Sequence, residues 1–134
     1  MGYNGIMGSR LIPRSTLESN ASSEQLAKVM VDIRVRLLSE FLYTGALLGG
    51  GAVACYPESY NAVNPAWRKS LLHISVFTGW LENATLSERT GAEDLLTNLV
   101  QTLRDITPDS GSYPNESDPN EPNWQQAFFG NNYP

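Results

Sequence analysis

His73 is the only histidine of the chain and the one side chain whose ordinary pKa lies near neutrality, so it is the first candidate for moving a proton. A strand histidine serves equally well as a hydrogen-bonded structural residue. It follows the string NPAWRK, and a strand phase puts Trp67 and Lys69 on its face and Arg68 on the other. Arg68 could hold a carboxylate or enolate oxygen in its planar fork, or close a salt bridge toward a helix. Cys55 is the only cysteine, which excludes an internal disulfide and leaves a structural metal almost no ligands; it reads as a buried, inert thiol. Gly49, Gly50 and Gly51 lack both the Lys-Ser/Thr and the G-x-G-x-x-G spacing that cradle phosphate.

Several elements must position these residues. Gly5 to Ile12 reads as a strand ended by Pro13. Ser22 to Gln25 matches a capping box, and Leu26, Met30, Ile33 and Leu37 recur at helical spacing, which predicts a helix over 22–40. Phe41 to Ala54 is apolar and glycine-rich and reads as a buried strand. Trp67 to Trp80 alternates as a long strand, with Ser70, Leu72, Ile74 and Val76 on one face and Leu71, His73, Ser75 and Phe77 on the other. A second capping pattern at Thr90 to Glu93 precedes the apolar stripe Leu95, Leu96, Leu99, Leu103 and Ile106, halted by Pro108. The expected fold is α+β: a small, mostly antiparallel sheet with helices on one face, in the order βαββα. Residues 1–134 form one domain, with the α+β core over 1–107 and an arm over 108–134. The arm has no apolar period, yet Tyr113, Trp124, Phe128 and Phe129 argue that it is pinned down.

Composition narrows the function classes. The 134 residues are 41% apolar and 17% charged, which fits a folded globule and excludes a disordered polyelectrolyte. A formal charge of −5 disfavours nucleic acid as a partner. The longest apolar run is too short and too glycine-broken to span a bilayer, so no membrane partner is expected. Met1 to Arg14 has no basic start followed by an apolar core, and a cytoplasmic address is expected.

The strings LLGGGAVA, AVNPAWRKSLLH and DSGSYPNESDPNEPNWQQAFFGNNYP, with SRLIPRSTL near the start, resemble the C-terminal, substrate-domain part of fungal FAD-linked oxidases of the berberine-bridge type. The resemblance covers most of the chain from Ser9 to Tyr133. It implies a chain without the FAD-binding domain and its flavin-tethering His and Cys, so no bound FAD or other cofactor is expected. In several relatives a Tyr-x-Asn-Tyr motif supplies the catalytic base from its last tyrosine. The matching residues are Tyr113, Asn115 and Glu116, which places Glu116 where the base would sit, with Tyr113 able to donate a hydrogen bond to a substrate oxygen. Glu116 could equally cap a turn in this Pro/Asn/Asp-rich stretch.

These readings lead to a flavin-independent enzyme of fungal secondary metabolism that performs a cyclisation, isomerisation, dehydration or pericyclic step on a polyketide- or alkaloid-like molecule. Glu116, Tyr113 and His73 are its expected catalytic residues, and Trp67, Arg68, Lys69 and Asn115 its substrate contacts. The alternatives are a noncatalytic assembly module, or an oxidase half that recruits a separate FAD domain. A homodimer or larger oligomer is expected, because the face that relatives press on their FAD domain needs cover.

Overall fold

A computed structural model of the chain describes residues 3–37, 43–58 and 61–133. Its elements are β1 (Tyr3–Pro13), α1 (Ser15–Glu18), α2 (Asn20–Arg36), β2 (Tyr43–Leu47), α3 (Gly51–Cys55), α4 (Ala66–Lys69), β3 (Ser70–Leu81) and α5 (Leu86–Ile106). An arm follows, with a 3-10 turn at Pro114–Glu116, α6 (Trp124–Phe129) and a second 3-10 turn at Gly130–Asn132. The three strands are antiparallel in the order β1-β3-β2, so the α+β expectation holds.

Strand alternation in β3 decides where everything else goes. Ile74 and Val76 point toward the helices and join Ile12 of β1, Leu26, Ile33 and Leu37 around α2, and Leu96, Leu99, Val100 and Leu103 of α5 in one buried cluster. His73 and Ser75 project from the opposite face of the same strand. Removing these leucines and isoleucines from water supplies about 1.5–3 kcal/mol each, which is what holds α2 and α5 on the sheet.

Both helix starts lie upstream of the expected capping patterns. Ser19 caps α2, accepting from Ser22 N–H at 3.2 Å. At α5 the reciprocal box is Thr85 with Glu88: Thr85 N–H donates to Glu88 Oε2 at 2.7 Å and Glu88 N–H to Thr85 Oγ1 at 3.3 Å. Thr90 to Glu93 therefore lies inside the helix. Of the helix expected over 22–40, residues 38–40 lie outside the described residues, as do 41 and 42 of the expected buried strand.

Three further expectations are corrected. The run to Ala54 contains only a short edge strand, β2, whose Leu47 is 79% exposed, followed by the exposed helix α3. Gly50 and Gly51, at φ 82° and 57°, let the backbone turn between the two, a conformation closed to most L-residues. Cys55 is exposed, not buried. The long strand begins at Ser70, because Pro65 opens a helical turn that takes up Trp67, Arg68 and Lys69.

Gly79 faces Gly5 across the β1/β3 ladder, and a Cβ there would collide with the Asn4 carbonyl oxygen and lie 3.2 Å from Gly5 Cα. Backbone cannot rotate out of the way. Gly79→Ala is expected to destabilise the chain by about 1–3 kcal/mol, seen as a lower urea midpoint at unchanged m-value.

Candidate functional site

The arm reaches the open face of the sheet by running along the outer edge of β1. Leu11 N–H donates to Gly111 O at 2.8 Å, and Ser110 Oγ donates to Leu11 O at 2.7 Å. The chain then crosses onto the face opposite the helices. There Ser9 and Ser75, directly paired across the ladder and both buried, receive it. Tyr113 N–H donates to Ser9 Oγ at 3.1 Å, and Ser75 Oγ donates a short hydrogen bond to Glu116 Oε2.

The Tyr113, Glu116 and His73 set is thereby brought together. Trp67, His73 and Tyr113 pack on one another with ring centroids 5.3–5.7 Å apart, His73 and Tyr113 edge to face. His73 lies beneath, 6% exposed, while the Glu116 side chain keeps 32% of its surface open. His73 Nε2 has no hydrogen-bond partner and sits 3.8 Å from Glu116 Oε2, too long for a hydrogen bond. Asn115 Nδ2 donates to the Tyr113 hydroxyl at 2.7 Å, which occupies an acceptor lone pair and leaves the O–H free to donate outward. Glu116 closes the Pro114–Glu116 turn through its backbone, but its carboxylate is spent on Ser75 and not on a cap.

Burial holds His73 below the ordinary imidazole range, with the Glu116 carboxylate partly opposing. The unfolded chain therefore takes up this proton first as pH falls. The contribution to stability is full above pH 6.5, the ordinary value, and is lost as pH drops through the lowered one. Urea midpoints measured at about pH 7.5 and 5.5 are expected to fall for the parent and to fall less for His73→Gln. Parallel losses in both would show that His73 is not the titrating group.

Arg68 and Lys69 are not part of this cluster. Lys69 is exposed and pairs with Glu58 at 3.0 Å, because α4 turns it away from the His73 face. Arg68 closes no salt bridge among the described residues; with Lys69 it lines a separate cavity of about 520 Å³ where β1 ends at Pro13 and β3 begins at Ser70.

Sequence reasoning missed the residues that fix the arm. Arg104 of α5 is buried and donates from Nε and Nη2 to Glu121 at 3.0 and 2.5 Å, and from Nη2 to Asp118 at 2.9 Å. Asn64, in the NPAWRK string, donates from Nδ2 to Ala127 O at 2.8 Å, while its Oδ1 accepts from Ala66 N–H at 2.8 Å. Asn132 Nδ2 reaches the carbonyls of Glu58, Asn61 and Val63 at 2.7–2.9 Å. The Asn-Pro of residues 64–65 was a visible turn signal, but nothing local revealed that its amide would reach the arm. Of the aromatics expected to pin the arm, Trp124 is 44% exposed.

FAD would need a backbone cradle for its pyrophosphate and a slot for its rings. Gly49 to Gly51 lead into an exposed helix of five residues, and the Trp67, His73 and Tyr113 rings pack on one another with no flat slot between them wide enough for a second ring system. The described residues do not build such a site by themselves. Among them there is also no group of His, Cys, Asp and Glu able to hold a metal, and no helix long and apolar enough to cross a membrane.

No family model matches the chain. It is 36% identical over 133 residues to an uncharacterised FAD-linked oxidoreductase of Arthroderma benhamiae, covering 98% of the chain and 22% of that protein. It is 35% identical over 131 residues to the FAD-linked oxidoreductase patO of Aspergillus clavatus, covering 97% of the chain and 22% of that protein. With the bifunctional decalin synthase calF of Penicillium decumbens it shares 33% over 133 residues, covering 95% and 22%. The chain thus spans about a fifth of the length of the curated relatives it matches. Its fold is that of part of a VAO-type flavoprotein from Myceliophthora thermophila, with a TM-score of 0.78 at 23% identity over 99% of the chain and 23% of that protein. A chitooligosaccharide oxidase matches with a TM-score of 0.73 at 19% identity, over 97% of the chain and 28% of the oxidase. The chain is a relative of one segment of the fungal FAD-linked oxidoreductases, folded as the matching segment of the VAO-type flavoproteins is.

Proposed function

We propose that the chain is a small-molecule enzyme of fungal secondary metabolism in which Glu116 takes a proton from the substrate in a non-redox step, a cyclisation, isomerisation or dehydration. The observation that carries this reading is the Ser75–Glu116–His73–Tyr113 arrangement: a carboxylate anchored at one oxygen by a buried serine and part-open to solvent, over a His73 ring that also packs on Tyr113, whose hydroxyl accepts from Asn115. In the proposed step Glu116 removes a proton from a carbon next to a carbonyl, or from a hydroxyl. The Tyr113 O–H donates to the oxygen where negative charge builds. Asn115 orients Tyr113, Trp67 walls the cluster, and neutral His73 fills the space beneath Glu116 without competing for its Ser75 bond. Support from relatives is that one of them is named a decalin synthase, and orientation on such a surface can itself supply several kcal/mol of rate acceleration.

The test is conversion of a fungal polyketide extract by the purified chain without added flavin, followed by mass spectrometry. The expected product is an isomer of its substrate or lighter by one water. A product lighter by two hydrogens, or conversion only when FAD is added, would overturn the reading.

A second reading, an assembly module that pairs with a second copy of the chain, is favoured by the exposed Leu47 on the edge strand β2. Light scattering at about 0.1 mM is expected to give a dimer mass, and Leu47→Lys to give the monomer. A monomer for the parent chain would end that reading.

A further inference from the structure

Arg68 is the one described guanidinium with a buried nitrogen left unsatisfied: its Nε makes no hydrogen bond. An unpartnered buried donor is costly, so a group that supplies an acceptor near the Arg68 guanidinium is favoured. The cavity that Arg68 lines is about 520 Å³, within the range of small-molecule sites, and Arg14 lines it too. Neither guanidinium makes a side-chain hydrogen bond or ion pair with the described residues, so the terminal Nη groups of both are open to a ligand. The hydroxyl of Ser15 borders the same space, and Ala54, Ala66 and Pro13 give it an apolar wall.

We infer that this cavity binds a small molecule with a single carboxylate and an apolar body, the carboxylate on Arg68 and Arg14 and the body against Ala54 and Ala66. A planar guanidinium matches a carboxylate with two parallel N–H···O bonds, which a neutral amide cannot reproduce. The charge around the site selects among anions. Glu18 and Asp109 also line the cavity, and the charge of Lys69 is answered by Glu58, so the formal charges around the site balance. That balance suits one negative charge and disfavours a phosphate dianion. The site is separate from Glu116 and does not depend on the proton-transfer reading.

Titration calorimetry on the full chain with 4-phenylbutyrate, its amide and inorganic phosphate tests the assignment. Phenylbutyrate is expected to bind, with the amide and phosphate each weaker by ~10-fold or more. Arg68→Gln is expected to weaken phenylbutyrate by ~10-fold or more and Arg68→Lys to restore part of the loss, while Glu116→Gln leaves it unchanged. Circular dichroism checks that the variants fold; should Arg68→Gln not fold, Arg68→Lys and Arg14→Gln carry the comparison. No phenylbutyrate binding, an amide or phosphate that binds as tightly, or folded Arg68 and Arg14 variants with parental affinity would each overturn the inference.

Discussion

Replacing Glu116 with glutamine is expected to lower turnover by ~10² to 10⁴ while leaving the fold intact, because it deletes basicity and little else. The glutamine carbonyl can still accept the Ser75 hydrogen bond, so the arm stays anchored to β3 at that point. The side chain is part-exposed, and the stability change is expected to stay within about 1 kcal/mol. Such a combination separates a proton acceptor from a structural carboxylate, whose loss would appear in the urea midpoint and not in the rate. Ser75→Ala serves as the companion variant. It keeps the base but frees it to rotate, so its effect on rate is expected to be smaller than that of Glu116→Gln. Full turnover by Glu116→Gln would remove the carboxylate from the chemistry altogether.

The largest stability effect is expected at Arg104. Burial alone would lower its pKa, but hydrogen bonds and charge attraction from Glu121 and Asp118 outweigh that and hold it above its ordinary value. Both carboxylates are themselves buried, at 2% exposure for Asp118 and 7% for Glu121. Arg104→Met would leave two desolvated negative charges without their shared counterion. Nearby Arg10 is a poor substitute: its Nε and Nη2 already donate to Thr107, so it is held away from a direct pair with either carboxylate. Breaking a buried pair from one side costs about 3–5 kcal/mol, a large share of the stability of a chain this size. The expected readout is a marked drop in urea midpoint. In whatever fraction stays folded, amide exchange is expected to quicken at Ser112 and Tyr113, because the arm is held at Asp118 and Glu121 downstream of them. Adding Asp118→Asn and Glu121→Gln to Arg104→Met should recover part of the loss, since neutral amides are cheaper to bury unpaired. An Arg104→Met chain with the parental midpoint would show that the arm is held by other contacts.

Local pattern was enough for the framework. Apolar spacing in α2, α5 and β3 set the helices, the central strand and its two faces, because burial on one side of a regular element leaves a period in the sequence. The same alternation put His73 and Ser75 on one face and Ile74 and Val76 on the other, and the packing of α2 and α5 decided which of the two is the core. Element starts were less legible: each true cap lies upstream of a similar Ser/Thr pattern, and capping motifs recur by chance in polar stretches. Leu47 and Cys55 were misplaced for a related reason. An apolar, glycine-rich run shows that burial would be favourable but not whether a neighbour exists to provide it, and β2 lies at the sheet edge.

The residue types available for chemistry, and through the resemblance the grouping of Tyr113, Asn115 and Glu116 on the arm, were legible from the chain alone. What those residues face was settled by contacts between distant parts of the chain. Ser9 and Ser75 become neighbours through the antiparallel register of β1 on β3, and Arg104 meets Asp118 and Glu121 only after the chain has turned past Pro108. Contacts between residues far apart in sequence leave no local period, and a hydrogen bond across 41 positions, such as Ser75 to Glu116, is fixed by strand register and arm path together. The separation of Arg68 and Lys69 from His73 has the same origin. One helical turn at Ala66–Lys69 replaces the strand phase that would have put Lys69 beside His73, because Pro65 presets the backbone for a helix start.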